Sequence, residues 1–218
     1  MLMRRWQPRN VLELLGLTEP MKYESLYNKS ESWPVLRDIF ALRFPEAETV
    51  LDLTYGLGTF WKWDYPFKLH KNDWVTEADT SHDFIDYPAA RYDVVVFDPP
   101  FSAIGPPSDG KGDWSARYGA SRAQGGPQNI KEVVAYTLAG IESAMRIARC
   151  GVILKTQRVI ESMKLHDVPH AAKVEIYSNG WEVSDHVYLH APKRPQPPGR
   201  RVLNFRNVLS EFIVAVPG

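Results

Sequence analysis

Apolar positions along the chain fall into blocks of two distinct periods. From Trp33 to Phe44 they recur at helical spacing, with Val35, Ile39, Leu42 and Phe44 as the stripe. Ser32 suits an N-cap and Pro34 a first-turn position, so a helix is predicted over 33–44. A second helical stripe, Val133, Leu138, Ile141, Met145 and Ala148, begins behind Asn129, with Glu132 three residues on as a capping-box partner. A third helix is predicted over 165–178. Between these blocks the pattern is extended: Glu48–Leu53, a weaker block at Trp74–Glu77, Tyr92–Phe97 and Cys150–Lys155. Tyr92–Phe97 is a continuous β-branched run of the kind buried on both faces of a parallel sheet. Two last strands, 181–188 and 209–216, follow each other with no helix between, which predicts an antiparallel hairpin at the sheet edge. Strands alternating with helices predict an α/β protein with a mostly parallel sheet, one domain over 1–218 with an N-terminal extension at 1–25.

Two stretches escape both periods. Residues 102–128 are rich in Gly, Pro and Ser and too long for an ordinary connection, which marks a functional loop. This loop carries Lys111, Trp114, Arg117, Tyr118 and Arg122, cations and aromatics suited to phosphates and stacked bases. The loop inside the final hairpin, 190–206, holds Lys193, Arg194, Arg200, Arg201 and Arg206 among prolines, and no acidic residue occurs from His186 to Ser210. Such a tip fits phosphate contacts that position a nucleic acid without reading it; the alternative is a solvated edge loop that blocks sheet aggregation.

Composition narrows this picture. The 26 Lys and Arg balance the 26 Asp and Glu, which excludes a polycationic coat and makes any nucleic-acid contact a local patch. The single cysteine, Cys150, excludes an internal disulfide and reads as a small buried filler. His70, His82, His166 and His170 show no metal-ligand spacing with carboxylates, so no metal is expected, although His166 and His170 would share a helix face. No stretch reaches the ~20 apolar residues of a membrane span. The basic start, Met1–Trp6, lacks an apolar signal core behind it, so a cytoplasmic protein is expected.

Candidate chemistry sits at two strand ends. Asp52 closes the first strand ahead of the turn Tyr55-Gly56-Leu57-Gly58, where an open α/β sheet binds its ligands. The turn lacks the third glycine of the dinucleotide fingerprint, which disfavours NAD. The run Phe60-Trp61-Lys62-Trp63 behind it reads as helix-start packing. Asp98-Pro99-Pro100-Phe101 follows the strongest strand. An exocyclic base amine is a poor nucleophile because its lone pair is delocalised into the ring. A carboxylate and a carbonyl held by rigid prolines could accept both amine hydrogens and aim the lone pair, while Phe101 offers a stacking face. Read alone, the tetrapeptide fits a strand-ending turn equally well; with the glycine turn one unit upstream, the chemical reading gains. Lys155-Thr156-Gln157 ends the strand after the long helix, on the same sheet edge, and could line a base pocket.

On these residues the chain resembles the class I S-adenosylmethionine-dependent amino-methyltransferases. Asp52-Leu53-Thr54-Tyr55-Gly56-Leu57-Gly58 is similar to their Asp-x-x-x-Gly-x-Gly cofactor motif, and Asp98-Pro99-Pro100-Phe101 to their (Asp/Asn/Ser)-Pro-Pro-(Tyr/Phe/Trp) motif. The resemblance spans residues 26–216 and points in particular to small prokaryotic and phage N6-adenine DNA methyltransferases without a separate target-recognition domain. It implies a Rossmann-like sheet, S-adenosyl-L-methionine as cofactor, and direct methyl transfer to a flipped-out base. It further implies that Asp52, Thr54, Tyr55, Gly56 and Gly58 hold the methionine part, with Asn28 and Lys29 in a cofactor loop ahead of the first strand. Asp79, or alternatively Glu77, would bind the ribose hydroxyls, and Asp83 with Phe84 would bracket the adenine. Asp98 would orient the amine, Pro99 and Pro100 would supply a carbonyl acceptor, and Phe101 would stack on the base. Arg117, Tyr118, Lys155, Lys193, Arg194, Arg200 and Arg201 are the candidate nucleic-acid contacts. Asp at the first motif position favours adenine N6 over cytosine N4, and DNA is favoured over RNA as partner. The molecule is expected as a monomer or homodimer, with specificity in its two loops or in a partner subunit. The rival from another class is a Rossmann-type module that binds a nucleotide without catalysis.

Overall fold

The computed structural model describes residues 26–27, 31–73, 78–101, 127, 129–161, 164–190 and 209–218. Seven strands form one sheet in the order β3-β2-β4-β5-β9-β8-β1, with β1 Leu26–Tyr27, β2 Thr49–Asp52, β3 Lys68–Lys71, β4 Tyr92–Phe97, β5 Ala148–Thr156, β8 Trp181–His190 and β9 Leu209–Pro217. A small hairpin, β6 Val159–Glu161 with β7 Lys164–His166, stands apart from it. Strands β3, β2, β4 and β5 pair in parallel; β9 runs antiparallel to both of its neighbours, β5 and β8.

The sheet is covered on both faces. In β4, Val94 and Val96 point into one apolar cluster while Val95 and Phe97 point into the other, so the continuous β-branched run is buried on both sides. Helix α1 (Trp33–Arg43) packs Val35, Leu36, Ile39 and Phe40 on the first face together with Phe60, Trp61 and Phe67. Helices α2 (Ile130–Ile147) and α3 (Val168–Ser178) cover the second face through Ile141, Ile147, Ala172 and Ile176.

Local sequence explains most element ends. Asn129 Oδ1 accepts from the Glu132 amide at 3.1 Å and Asn129 Nδ2 donates to Glu132 Oε1 at 2.6 Å, which fixes the start of α2. Ser32 occupies the N-cap position of α1, but its side chain makes no capping hydrogen bond. Helix α3 begins three residues later than the periodicity predicts. Leu165 and His166 belong to β7, and Asp167 caps the helix instead, accepting from the His170 amide at 3.2 Å. His166 therefore shares no helix face with His170.

Three further expectations need correction. The closing hairpin is not at the sheet edge: β9 is sandwiched between β5 and β8, and the two-residue strand β1 pairs in parallel alongside β8. Cys150 is exposed, because it lies with Arg149 near the start of β5, between buried Ala148 and the buried run that begins at Gly151. No helix follows the glycine turn among the described residues; Trp61 and Trp63 instead join an aromatic cluster with Phe40, Tyr65 and Phe67. The predicted strand at 74–77 and the N-terminal extension at 1–25 lie outside the described residues.

Candidate active site

The chain leaves β2 for β3 on one side and returns to β4 on the other, so the carboxyl ends of β2 and β4 frame a topological switch point. Open α/β sheets bind ligands in the crevice at that place, and both motifs run into it. They are stitched together by one backbone and one side-chain hydrogen bond: the Leu53 amide donates to the Val96 carbonyl at 2.9 Å, and the Asp98 amide donates to Thr54 Oγ1 at 2.8 Å.

In the glycine turn, Gly56 and Gly58 have φ of 56° and 65°, a region that disfavours side chains. A Cβ on Gly58 would also stand 2.5 Å from Tyr55 Oη. Tyr55 is held by its amide on the Asn72 carbonyl at 3.0 Å and by the Lys71 ammonium 5.0 Å over its ring. Asp52, 2% exposed, accepts from the Thr54 amide at 3.0 Å and from Trp61 Nε1 at 2.6 Å. Burial pushes its carboxyl up to about 7; the bonds from Trp61 and Thr54 pull it back, and the charges of Asp98 and Asp73 add to the rise.

Asp73 was not singled out from the sequence, yet the structure places it against the glycine turn. Strand β3 ends at Lys71, so Asp73 lies just past its carboxyl end, where its carboxylate accepts from the Gly56 amide. The available signal was the spacing: an acid about 20 residues beyond the glycine turn is the ribose ligand of a βαβ nucleotide site, and Asp73 stands 17 residues from Gly56. Asn72, buried beside it, donates from Nδ2 to the Leu53 and His82 carbonyls at 3.1 and 3.0 Å. Its Oδ1 accepts from the His82 amide and from Thr80 Oγ1, both at 3.0 Å, which ties the turn to residues 80–82.

Asp79 lies alongside β3, one carboxylate oxygen accepting from the Lys71 amide at 2.9 Å. Asp83 accepts from the Ile85 amide at 3.0 Å, and Phe84 packs against Phe97 with ring centroids 5.2 Å apart. Of Asp83 and Phe84, the ring is thus turned toward the core of α2 and β4.

Asp98 occupies the end of β4. Its Oδ2 pairs with Lys155 Nζ at 3.2 Å, while Oδ1 is buried and has no hydrogen-bond partner among the described residues. Burial pushes the Asp98 carboxyl upward, and the Lys155 ammonium pulls it back. Lys155 reaches Asp98 because Leu154 pairs with Phe97 across adjacent parallel strands, which brings the next residue of each strand side by side. Its ammonium also stands 5.0 Å from the ring centroid of Phe60 and 5.2 Å from that of Phe101. Pro99 is buried, and Pro100 and Phe101 are half-buried. Thr156, buried at the same strand end, pairs with Glu211 of β9; Glu211 is fully buried and meets His186 Nε2 at 2.7 Å.

The structure thus brings together Asp52, Thr54, Tyr55, Gly56, Gly58, Asp98 and Lys155. Asn28, Lys29, Glu77, Arg117, Tyr118, Lys193, Arg194, Arg200 and Arg201 lie outside the described residues. Among the described residues no cluster of three or more His, Cys, Asp or Glu could hold a metal ion, and no helix is long and apolar enough to cross a membrane.

The sheet, with β9 as its antiparallel strand and helices on both faces, is the Rossmann-like class I methyltransferase fold. Among solved structures, TrmN from Thermus thermophilus superposes with a TM-score of 0.50 at 11% identity, covering 87% of this chain and 50% of that one. Magnesium protoporphyrin IX methyltransferase from Synechocystis PCC 6803, with bound S-adenosylmethionine, gives 0.46 at 12% identity over 85% of this chain and 77% of that one. A protein assigned as a DNA modification methylase, also from Thermus thermophilus, gives 0.37 at 12% identity over 62% and 49%. The chain therefore spans about half the length of TrmN and of the DNA modification methylase. At 11% identity the likeness to TrmN shows the fold and nothing finer. No protein-family model matches the chain, and no curated protein matches it.

Proposed function

We propose that this protein is an S-adenosylmethionine-dependent methyltransferase acting on an exocyclic amine of a nucleic-acid base, with N6 of adenine in DNA as the preferred target. The observation that carries the reading is Asp98: a strand-end carboxylate with one oxygen held by Lys155 and the other buried without a partner among the described residues, bonded through its amide to the glycine turn. A buried acceptor left open is costly unless a ligand donor fills it.

The residues at the switch point fit the cofactor. Glycines with positive φ leave room that a Cβ would take, and the Asp52 and Asp73 carboxylates suit an ammonium and ribose hydroxyls. Asp52, Thr54, Tyr55, Gly56 and Gly58 would hold the methionine part, and Asp73, with Asp79 behind it, the ribose. Asp83 and Phe84 would border the adenine, and Asn28 and Lys29 would add to this site. When bound, the cofactor supplies a methyl group made electrophilic by its sulfonium.

The chain's own contribution is orientation. Asp98 Oδ1 accepts one amine hydrogen and the Pro99 carbonyl the other, which draws the nitrogen lone pair out of conjugation and toward the methyl. Phe101 stacks on the base, offsetting part of the few kcal/mol that extrusion costs. Arg117 and Tyr118 in the 102–128 loop, with Lys193, Arg194, Arg200 and Arg201 in the 190–206 loop, would grip phosphates and neighbouring bases.

The test is nucleoside mass spectrometry after incubating the protein with methyl-labelled cofactor and, separately, DNA and RNA. Label on N6-methyladenine from DNA is expected. Label on N4-methylcytosine, or on RNA alone, would replace the base or the polymer in this reading. No labelled nucleoside, together with binding of NAD but not of S-adenosylhomocysteine, would leave a nucleotide-binding module without catalysis.

A further inference from the structure

Resting on the amine-methylation reading above, we infer that Lys155 is a positioning residue for the reaction: clamped between Phe60, Phe101 and Asp98, it holds the Asp98 carboxylate ionised and turned so that Oδ1 alone faces the substrate amine. Three contacts fix its ammonium. Nζ lies 3.2 Å from Asp98 Oδ2 and stands over the rings of Phe60 and Phe101 at 5.0 and 5.2 Å from their centroids. The stem is anchored as well, because Lys155 pairs with Phe212 of β9 and its neighbour Leu154 pairs with Phe97 of β4.

Such a cation is required by what surrounds Asp98. Asp52, on the adjacent strand, is a second carboxylate whose titration Asp98 drives upward, and Asp73 adds a third acid behind it. The only other polar contact among the described residues, Thr54 Oγ1, serves the Asp98 amide and leaves the carboxylate untouched. Burial favours a protonated Asp98, and a carboxylic acid offers a weaker acceptor to an amine hydrogen. Lys155 is the described cation that opposes this, paired with Oδ2 at 3.2 Å. It also occupies Oδ2, so the substrate amine meets a single acceptor oxygen. A lysine at the end of β5 that read the base directly would have no need of the ion pair, and the two roles separate by experiment.

The primary readout uses protein without cofactor or nucleic acid. Aspartate labelled with ¹³C at Cγ gives an Asp98 signal, assigned by its loss in Asp98→Asn. In the wild type Asp98 should be ionised at pH 7, whereas in Lys155→Met its titration should move up by at least about one unit, a tenfold change in proton affinity. Lys155→Arg should return it most of the way. In turnover, the acid limb of the kcat profile should move upward in Lys155→Met in step with the carboxylate signal, with S-adenosylhomocysteine affinity within about twofold of wild type.

A wild-type Asp98 that is protonated at pH 7 overturns the inference whether or not any variant folds. So does an Asp98 that titrates alike in wild type and in folded Lys155→Met or Lys155→Gln, including the case where activity falls and the pH profile stays in place, which would make Lys155 a direct base contact. A wild type that methylates no base amine overturns the functional reading and leaves the carboxylate titration to be judged by itself.

Discussion

Asp52 and Asp98 are two carboxylates at neighbouring strand ends, and their different partners give them different work. Asp98→Ala should abolish methyl transfer while S-adenosylhomocysteine affinity, measured by calorimetry, stays within about twofold, because its side chain faces the proposed amine and touches Lys155. Asp52 should impose a pH dependence on the cofactor. Burial pushes its carboxyl up to about 7 in the folded protein, and a cofactor ammonium pairs only with the ionised form. Affinity should therefore fall about tenfold from pH 8 to pH 6, and in Asp52→Asn the same calorimetric titration should be flat. The sign for folding is opposite: the raised pKa gives a contribution that is full below about 4 and lost as pH rises through about 7. At this scale the tetrapeptide 98–101 could be picked out as a candidate because the chemistry it offers is local: a carboxylate, two rigid residues and a ring. Asp73 could not. Its meaning depends on where β3 ends, and Lys68-Leu69-His70-Lys71 carries one apolar residue and no buried one to announce a strand.

Among elements, α2 carries the most legible signals and also a hidden constraint. Asn129→Ala should cost about 1 kcal/mol in urea denaturation, the usual loss for an N-cap, and Asn129→Asp should retain most of it. Gly140 faces Phe97 so closely that a Cβ would stand 2.1 Å from the Phe97 ring. Gly140→Ala should destabilise by about 1–3 kcal/mol despite the better helix propensity of alanine, with Phe97→Leu in the same chain recovering part of it. Because Phe97 immediately precedes Asp98, the same substitution should lower kcat more than it raises KM. The cap was visible as Asn129 and Glu132 three residues apart; the close approach was not, since it joins positions 43 residues apart whose facing depends on how helix and sheet pack. The late start of α3 has a similar cause. The predicted helix begins at Leu165, but pairing of β7 with β6 removes 164–166 from it and leaves Asp167 to cap it.

For the molecule as a whole, a chain whose 26 cationic and 26 anionic residues cancel can hold a polyanion only through a local patch. Nucleic-acid affinity should fall steeply with salt, and Arg200→Ala with Arg201→Ala should reduce the slope of log K against log salt by nearly two, at about 0.9 for each lost phosphate contact. The loss should be equal across sequences, as checked by fluorescence anisotropy on several duplexes. Strands β2, β4 and β5 of the parallel half were legible from their apolar runs, whereas β3 was not. The place of β9 was not, because the hydrophobic pattern of 209–217 records burial on both faces but not which strands lie beside it. That place bears on how the protein comes into being. Strand β9 is the last of the described strands to be synthesised, yet it fills the gap between β5 and β8. A nascent chain stalled before residue 209 presents two open strand edges and holds Lys155 on a flank without its Phe212 neighbour. Closure of the sheet and protection from edge-to-edge aggregation thus both wait for β9, and until it is made the growing chain is a natural client for a chaperone.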